Sequence, residues 1–504
     1  MTTEIELKYL VLGDNIAETL SEIFKRENIQ FNYQEKQLAN CYFDTPDLQL
    51  RKLDMGLRIR RDQLHIEQTI KTAGQVVGGL HSRPEFNVDI EGNFPVLSLF
   101  PNHIWSSTKA VEKIQDSLIT LFSTDFKRCI WLVSDHEGNE VEVAFDQGVV
   151  ASGERTEHIC EIELELVKGN AKALFSLVEV LFSDLLMRPG LKSKAARGYA
   201  LWKNDHLEAI HAPLFICNSD TNSIEQAFTL GLNKGLTELQ QNIALYLTTE
   251  SLTELATIKA NLAILRHGFW LFDEHLPEQI KSLRTELSHF IHLLAWVDNA
   301  IHLQELTNKT GNYRKKLDYS CQLIEQLKIA KRRFPSADDI SELLHSSRFN
   351  MLQLSLLKVY LSRANANSPA SDEKRIALIK FAQDKIQFSL GEISLEMKSS
   401  LSFNCEQYIA QSKLLYRSLL TGTWLSGLFD SELRDNFRRP WLDLQQGISE
   451  LQSLWIIQQQ LEKLDEPPKK LVLWQNSKVE GLLIALDNTK AMATAMTPYW
   501  LEVN

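Results

Sequence analysis

The chain opens with charged side chains on alternate positions, Glu4, Glu6 and Lys8, with Ile5 and Leu7 between them. Successive side chains of an extended strand point to opposite faces, so this spacing gathers three charges on one side and apolar residues on the other. The pattern recurs at Arg58/Arg60, Arg83/Glu85 and Glu161/Glu163/Glu165, interleaved with Leu57, Ile59, Ile162 and Leu164. Several strands therefore carry a mixed acidic and basic face opposite a greasy one. A solvated antiparallel sheet tolerates alternating charge on any single strand. It does not need three glutamates in one strand, or Arg58 and Arg60 together with Lys71, Arg83, Arg128, Lys194 and Arg197. If the sheet closes with this face inside, unpaired charge becomes very costly, and a polyanion with its cations is the natural filling.

The side chains set the roles such a site offers. Arginine and lysine bind phosphate oxygens, arginine often bidentately. Carboxylates at i and i+2 on neighbouring strands can hold hard divalent cations such as Mg²⁺, which keep water and phosphate as further ligands. Together they suit phosphoryl transfer to water.

Length and composition bound the alternatives. At 504 residues the chain exceeds one ordinary core, and two domains are expected. A hydrophobic fraction of 44% and a charged fraction of 24% are those of a globular protein. No run reaches the ~18–20 apolar residues of a membrane span, and the first residues do not read as a signal peptide, so the cytoplasm and no membrane partner are expected. The cysteines at 41, 129, 160, 217, 321 and 405 form no C-x-x-C pair and are expected to be reduced. Net charge is −11 overall; residues 1–203 carry 23 Lys+Arg against 30 Asp+Glu, and residues 204–504 carry 31 against 35. Neither half is basic, so nucleic acid is not an expected partner and any polyanion site must be a focused cluster.

The period of the pattern changes along the chain. Up to about residue 200, two-residue alternation is punctuated by turn signals at 44–47, 78–79, 137–139 and 153–154, with helical spacing only near 15–28 and 170–187. Beyond Asp205 the apolar spacing is helical, starting at Asn222-Ser223-Ile224-Glu225, with breaks expected near Pro277, Gly311, Pro335, Ser368-Pro369, Pro440 and Pro467-Pro468. The expected class is an α+β N-terminal domain over residues 1–203, a linker over 204–220, and an all-α C-terminal domain of helical bundles over 221–504.

The ordered set Glu4-x-Glu6-x-Lys8, Arg58/Arg60, Lys71, Arg83/Glu85, Arg128, Asp146, and Ser193-Lys194-Ala-Ala-Arg197-Gly-Tyr199 resembles the CYTH, or triphosphate tunnel metalloenzyme, family over residues 2–202. In detail it is similar to the bacterial inorganic triphosphatases that carry a CHAD domain. The resemblance implies an eight-stranded antiparallel β tunnel with covering helices, splitting tripolyphosphate into pyrophosphate and phosphate with Mg²⁺ or Mn²⁺, as two ions. It implies Glu4, Glu6, Glu161 and Glu163 as metal ligands or water-orienting groups, with Glu4, Glu6 and Lys8 nearest the chemistry. Lys8, Arg58, Arg60, Lys71, Arg83, Arg128, Lys194 and Arg197 would hold the phosphate chain, and Glu85, Glu142, Asp146 and Glu165 are second choices. Thiamine triphosphatase, class IV adenylyl cyclase and RNA triphosphatase share the fold; Trp105, Phe126 and Trp131 are the aromatic residues that could grip an organic group. A non-catalytic polyphosphate-binding scaffold is the alternative from another class. The helical half resembles CHAD, two related four-helix bundles associated with long-chain polyphosphate. It departs from that signature by keeping only Lys259 and Arg266 among the basic positions of residues 258–266 and by having Ala256 where a histidine is expected.

Overall fold

A computed structural model describes residues 2–62, 65–105, 107–205, 215–311, 313–364, 371–398 and 402–501. The chain divides into two compact units, Met1–Glu208 with Asp338–Leu357, and Ala209–Ala337 with Lys358–Asn504. The expected 204–220 linker falls partly outside the described residues, at 206–214.

The first unit is built on ten strands: β1 (Thr2–Leu12), β2 (Gln30–Asp44), β3 (Gly56–Asp62), β4 (His65–Lys71), β5 (Gln75–Val77), β6 (Leu80–Asp89), β7 (Ile119–Ser134), β8 (Glu140–Ser152), β9 (Arg155–Lys168) and β10 (Leu186–Pro189). Eight of them run β1-β9-β8-β7-β2-β3-β4-β6, and β6 pairs back onto β1, so the sheet closes into a barrel. Every pairing is antiparallel. This is the eight-stranded tunnel the resemblance implies, with β5 and β10 as short additions. β1 makes the closure possible because its first half pairs with β6 and its second half with β10 along the same edge.

The apolar face of each strand points outward and is covered. On one side Ile59, Ile70 and Phe86 pack with Leu97, Phe100, Val111 and Ile114, from the segment around the helix Thr108–Gln115. On the other side the helices Ile16–Arg26 and Lys172–Leu181 bury their apolar stripes. There Phe24 meets the ring of Trp131, whose indole N–H donates to Ser21 Oγ at 3.1 Å. Both helices fall where the sequence shows a helical period.

One end of the barrel is filled. Leu38, Phe122, Phe126, Val150 and Ile159 cluster there with Tyr199, from the helix Lys194–Lys203. Gly198 lets this helix close in, since a Cβ there would lie 2.0 Å from Phe122. Tyr199 donates to the fully buried Asp44, which also accepts from the backbone N–H groups of Thr45, Leu50 and Arg51. Asp44 is thus a satisfied structural carboxylate that anchors the plug.

The second unit is helical. Ser223 caps Ile224–Thr249 as the sequence indicates, Pro277 and Pro468 sit at helix N-caps, and Asn404 with Gln407 forms a capping box. Trp424 packs against Gly231 and Gly268, where a Cβ would lie 2.0 and 2.3 Å from its ring, and donates to the Ile264 carbonyl at 3.0 Å. The expected break at Pro440 does not occur, because Pro440 lies inside the helix Ser431–Leu461. It is buried with Phe437, Trp441 and Leu444, and that packing outweighs the lost backbone hydrogen bond. Ser368-Pro369 lies outside the described residues.

A charged bore as the candidate active site

Residues paired directly across antiparallel strands share a face, and the register carries the charged face around the bore. Glu4 lies opposite Arg83, Glu6 opposite Glu165, and Lys8 opposite Glu163. Arg60 lies opposite Asn40 and Glu67, Arg58 opposite Tyr42, Lys71 opposite Glu85, Arg128 opposite Asp146, and Glu142 opposite Glu165. Lys194 and Arg197 enter from the plug helix and are buried. The barrel therefore brings the charged sequence-derived candidates onto one lining.

At the plugged end the charges are matched closely. Lys194 Nζ lies 2.6, 2.5 and 2.9 Å from Asp146, Glu161 and Glu163. Lys8 contacts Glu163 and sits 3.2 Å from Glu161. Arg128 reaches Asp146 and Glu163 at 2.6 Å, and Arg197 reaches Glu161 at 3.0 Å. Burial alone would favour the neutral forms. The opposite charges of Glu161 and Glu163 outweigh it for Lys8, whose ammonium is held well above the usual lysine value. Lys8 therefore keeps its proton while those glutamates face it, and is not a ready base. The carboxyl oxygens of Asp146, Glu161 and Glu163 lie within 4.8 Å of one another, close enough for one metal ion, although four cations, Lys8, Arg128, Lys194 and Arg197, already occupy their oxygens.

Farther along the bore the charges separate. Glu6 is 7% exposed and has no ion pair or hydrogen bond among the described residues. Glu165 is pushed up to about 7 by burial and by the neighbouring charges of Glu4 and Glu142. Glu4 contacts Lys71, yet burial, Glu6 and Glu85 leave it above the usual carboxylate range. These hard oxygen donors, short of positive charge, fit a divalent cation of the Mg²⁺ or Mn²⁺ kind. Glu4 and Glu6 thus stand apart from the Asp146/Glu161/Glu163 group.

The basic groups stand across from them. Going round the barrel, β3 is four strands from β9 in either direction, so Arg58 and Arg60 lie opposite Glu161, Glu163 and Glu165. Arg58 pairs with Glu85 at 3.4 Å, and Lys71 with the same carboxylate at 3.1 Å; these cations outweigh burial and hold Glu85 down at about 2. Arg60 has no ion pair among the described residues and is pushed down to about 10 by burial and by Arg58 and Arg128. The Nε atoms of Arg58 and Arg83 are buried without a hydrogen-bond partner among the described residues.

Sequence reasoning missed Asn40, Tyr42 and Thr124 on this lining. Arg60 Nε donates to Asn40 Oδ1 at 3.0 Å, and Asn40 Nδ2 to Thr124 Oγ1 at 2.9 Å. The bore-facing positions of β2 read Lys36, Leu38, Asn40, Tyr42, a mixture without the run of charge that marks β1 and β9. Of the three aromatic candidates, Trp131 packs outside the barrel, Trp105 packs against the outer apolar cluster, and Phe126 is in the plug beneath Lys194, 5.0 Å from its ring centroid.

Residues 2–199 match the family model of the CYTH domain. The inorganic triphosphatase of Haemophilus influenzae is 40% identical over 213 residues, which are 41% of this chain and 57% of that relative. Among solved structures, a Hippeastrum protein described as a putative adenylyl cyclase with dominant triphosphatase activity covers 41% of this chain and 97% of its own, at 18% identity and a TM-score of 0.29. The CHAD domain of Ricinus communis covers 58% of this chain and 94% of its own, at 17% identity and a TM-score of 0.38. Both structural likenesses are too distant to carry weight. No helix among the described residues is long and apolar enough to cross a membrane. By the motif order, the closed barrel and the family match, residues 2–199 of this chain are similar to the CYTH domain family.

Proposed function

We propose that this protein is a metal-dependent inorganic triphosphatase that hydrolyses tripolyphosphate to pyrophosphate and phosphate inside the barrel. The observation that carries this is the opposition, across one closed bore, of Glu6 and Glu165, which have no ion pair among the described residues, to Arg60, which has none either, with Arg83 beside Glu4 on the strand next to β1. A triphosphate with its divalent cation is complementary to both walls at once. The 40% identity to the Haemophilus inorganic triphosphatase supports the same reading.

On this reading Arg58, Arg60, Lys71 and Arg83 bind phosphate oxygens along one wall, and Lys8, Arg128, Lys194 and Arg197 bind the phosphate nearest the plug. Glu4, Glu6 and Glu165 hold the cation, and Asp146, Glu161 and Glu163 keep the buried cations aimed. When bound, Mg²⁺ or Mn²⁺ would neutralise phosphate charge and acidify a coordinated water. The oxygen of water bonds to a terminal phosphorus, the bridging P–O bond breaks, pyrophosphate leaves with that electron pair, and a proton passes to the medium. The arginines stabilise the charge shifted to the leaving group. Trp131 and Trp105 lie outside the bore, and Phe126 and Tyr42 are buried in the plug cluster with Tyr42 already stacked on Phe122, which favours an inorganic chain over thiamine triphosphate or a nucleotide.

The test is product release from tripolyphosphate, ATP and thiamine triphosphate with Mg²⁺, Mn²⁺ or EDTA, alongside cyclic AMP formation. Fastest turnover of tripolyphosphate, abolished by EDTA, is expected. Faster turnover of either organic substrate would overturn the substrate assignment, and binding without turnover would point to a scaffold.

A further inference from the structure

We infer that His81 is a positioning residue, a latch that sets Lys194 and Arg197 in the bore; the inference deepens the proposed triphosphatase site and rests on that reading for its kinetic consequence. His81 is 3% exposed on β6, opposite Glu6 of β1. Its Nε2 lies 2.9 Å from the carbonyl oxygen of Gly190. A carbonyl only accepts, so Nε2 carries the proton and donates.

Gly190 is held from both sides. Its N–H donates to the Lys8 carbonyl at 2.8 Å, and the Lys8 N–H donates to the Gly79 carbonyl at 2.9 Å. A Cβ on Gly190 would lie 2.8 Å from Lys8 Cγ, and one on Gly79 would lie 3.2 Å from the Lys8 oxygen, so both glycines allow backbone to approach Lys8 closely. Three residues beyond Gly190, Ser193 caps the plug helix by accepting from the Ala196 N–H at 3.2 Å. Lys194, the next residue, reaches Asp146, Glu161 and Glu163, and Arg197 reaches Glu157 at 2.6 Å and Glu161 at 3.0 Å.

The chain of contact runs from His81 to Gly190, through a short turn, to the two cations nearest the plug. The Gly190–Lys8 hydrogen bond fixes where the turn begins. The His81 bond is accepted by the Gly190 carbonyl, which belongs to the next peptide unit, and fixes its orientation, which sets the direction in which the helix leaves. Tyr199 holds the far end through Asp44. Without His81 the turn before the helix is held at Gly190 by the backbone hydrogen bond to Lys8 alone, and Lys194 and Arg197 lie between that turn and the Tyr199 tie.

The test compares His81→Leu with His81→Gln in the full chain. Leucine fills similar volume without a donor, whereas the glutamine amide can donate to the same carbonyl. His81→Leu should speed amide hydrogen exchange at residues 190–197 and lower kcat/KM for tripolyphosphate about tenfold, the scale of one net buried hydrogen bond. His81→Gln should restore both towards wild type, which a purely volumetric role would not do. Equal exchange and equal kinetics in the two variants would overturn the latch, even if both are less stable than wild type. If wild type shows no tripolyphosphate turnover, the functional reading fails, while the exchange comparison still decides the latch.

Discussion

Replacing Arg60 with methionine should make the substrate-free protein more stable while weakening its grip on phosphate. The Arg60 guanidinium is pushed down from its ordinary value to about 10 by burial, Arg58 and Arg128. At about 1.4 kcal/mol per pKa unit, holding it charged costs the empty protein roughly 3 kcal/mol. For a base lowered in this way the penalty is complete below pH ~10 and fades only towards the unfolded value, so it is constant across pH 5 to 9. Arg60→Met removes it and loses the donation to Asn40 Oδ1, leaving that oxygen short of a partner at roughly 1–2 kcal/mol. The net expectation is a gain on the order of 1 kcal/mol in substrate-free stability. The same change removes a preorganised donor from the phosphate wall, at roughly 2–4 kcal/mol of transition-state stabilisation, or about 30- to 1,000-fold in kcat/KM. Thermal unfolding in EDTA measures the first effect and kcat/KM with metal the second, while a smaller stabilisation by tripolyphosphate in the melts reports the weakened binding by mass action. A substrate-free variant that unfolds below wild type, or an undiminished stabilisation by tripolyphosphate, would refute the reasoning.

Other perturbations probe other parts of the bore. Glu165, raised from 4.5 to about 7, contributes stability that is present below pH ~4.5 and lost as pH rises through 7; Glu165→Gln should flatten that decline in melts of the metal-free protein. Glu6→Gln should raise the Mg²⁺ concentration for half-maximal activity and lower kcat by at least about tenfold, since ligand charge is lost, and an unchanged metal titration would remove Glu6 from the metal set. Glu163→Gln leaves Lys8, Lys194 and Arg128 sharing one carboxylate fewer and should cost roughly 3–5 kcal/mol in denaturant unfolding of the first unit. Gly198→Ala sets a methyl against Phe122 and should cost about 1–3 kcal/mol, with activity falling as the plug helix moves.

The strands of the first unit are legible because the two-residue alternation records which face is charged, and the order of their motifs carries the resemblance to CYTH domains. Barrel closure is not legible from that alternation. It depends on pairing residues 2–7 with residues 80–85, a contact set by strand twist and by the apolar cover rather than by local pattern. Arg60 and Arg83 read as phosphate ligands, but their lack of carboxylate partners shows only once Glu85 is seen to take Arg58 and Lys71. His81 does not stand out by any local pattern, since its partner is a backbone carbonyl 109 residues away. Pro440 misled for the opposite reason: the local rule is sound, and burial among Phe437, Trp441 and Leu444 overrides it.

A crystal soaked with Mn²⁺ and tripolyphosphate, read by anomalous scattering, bears most directly on the account. Manganese should appear inside the barrel between Glu6 and Glu165, with the phosphate chain between it and Arg58, Arg60 and Arg83. Manganese and phosphate bound only on the outer surface, with the bore closed by its own ion pairs, would contradict it.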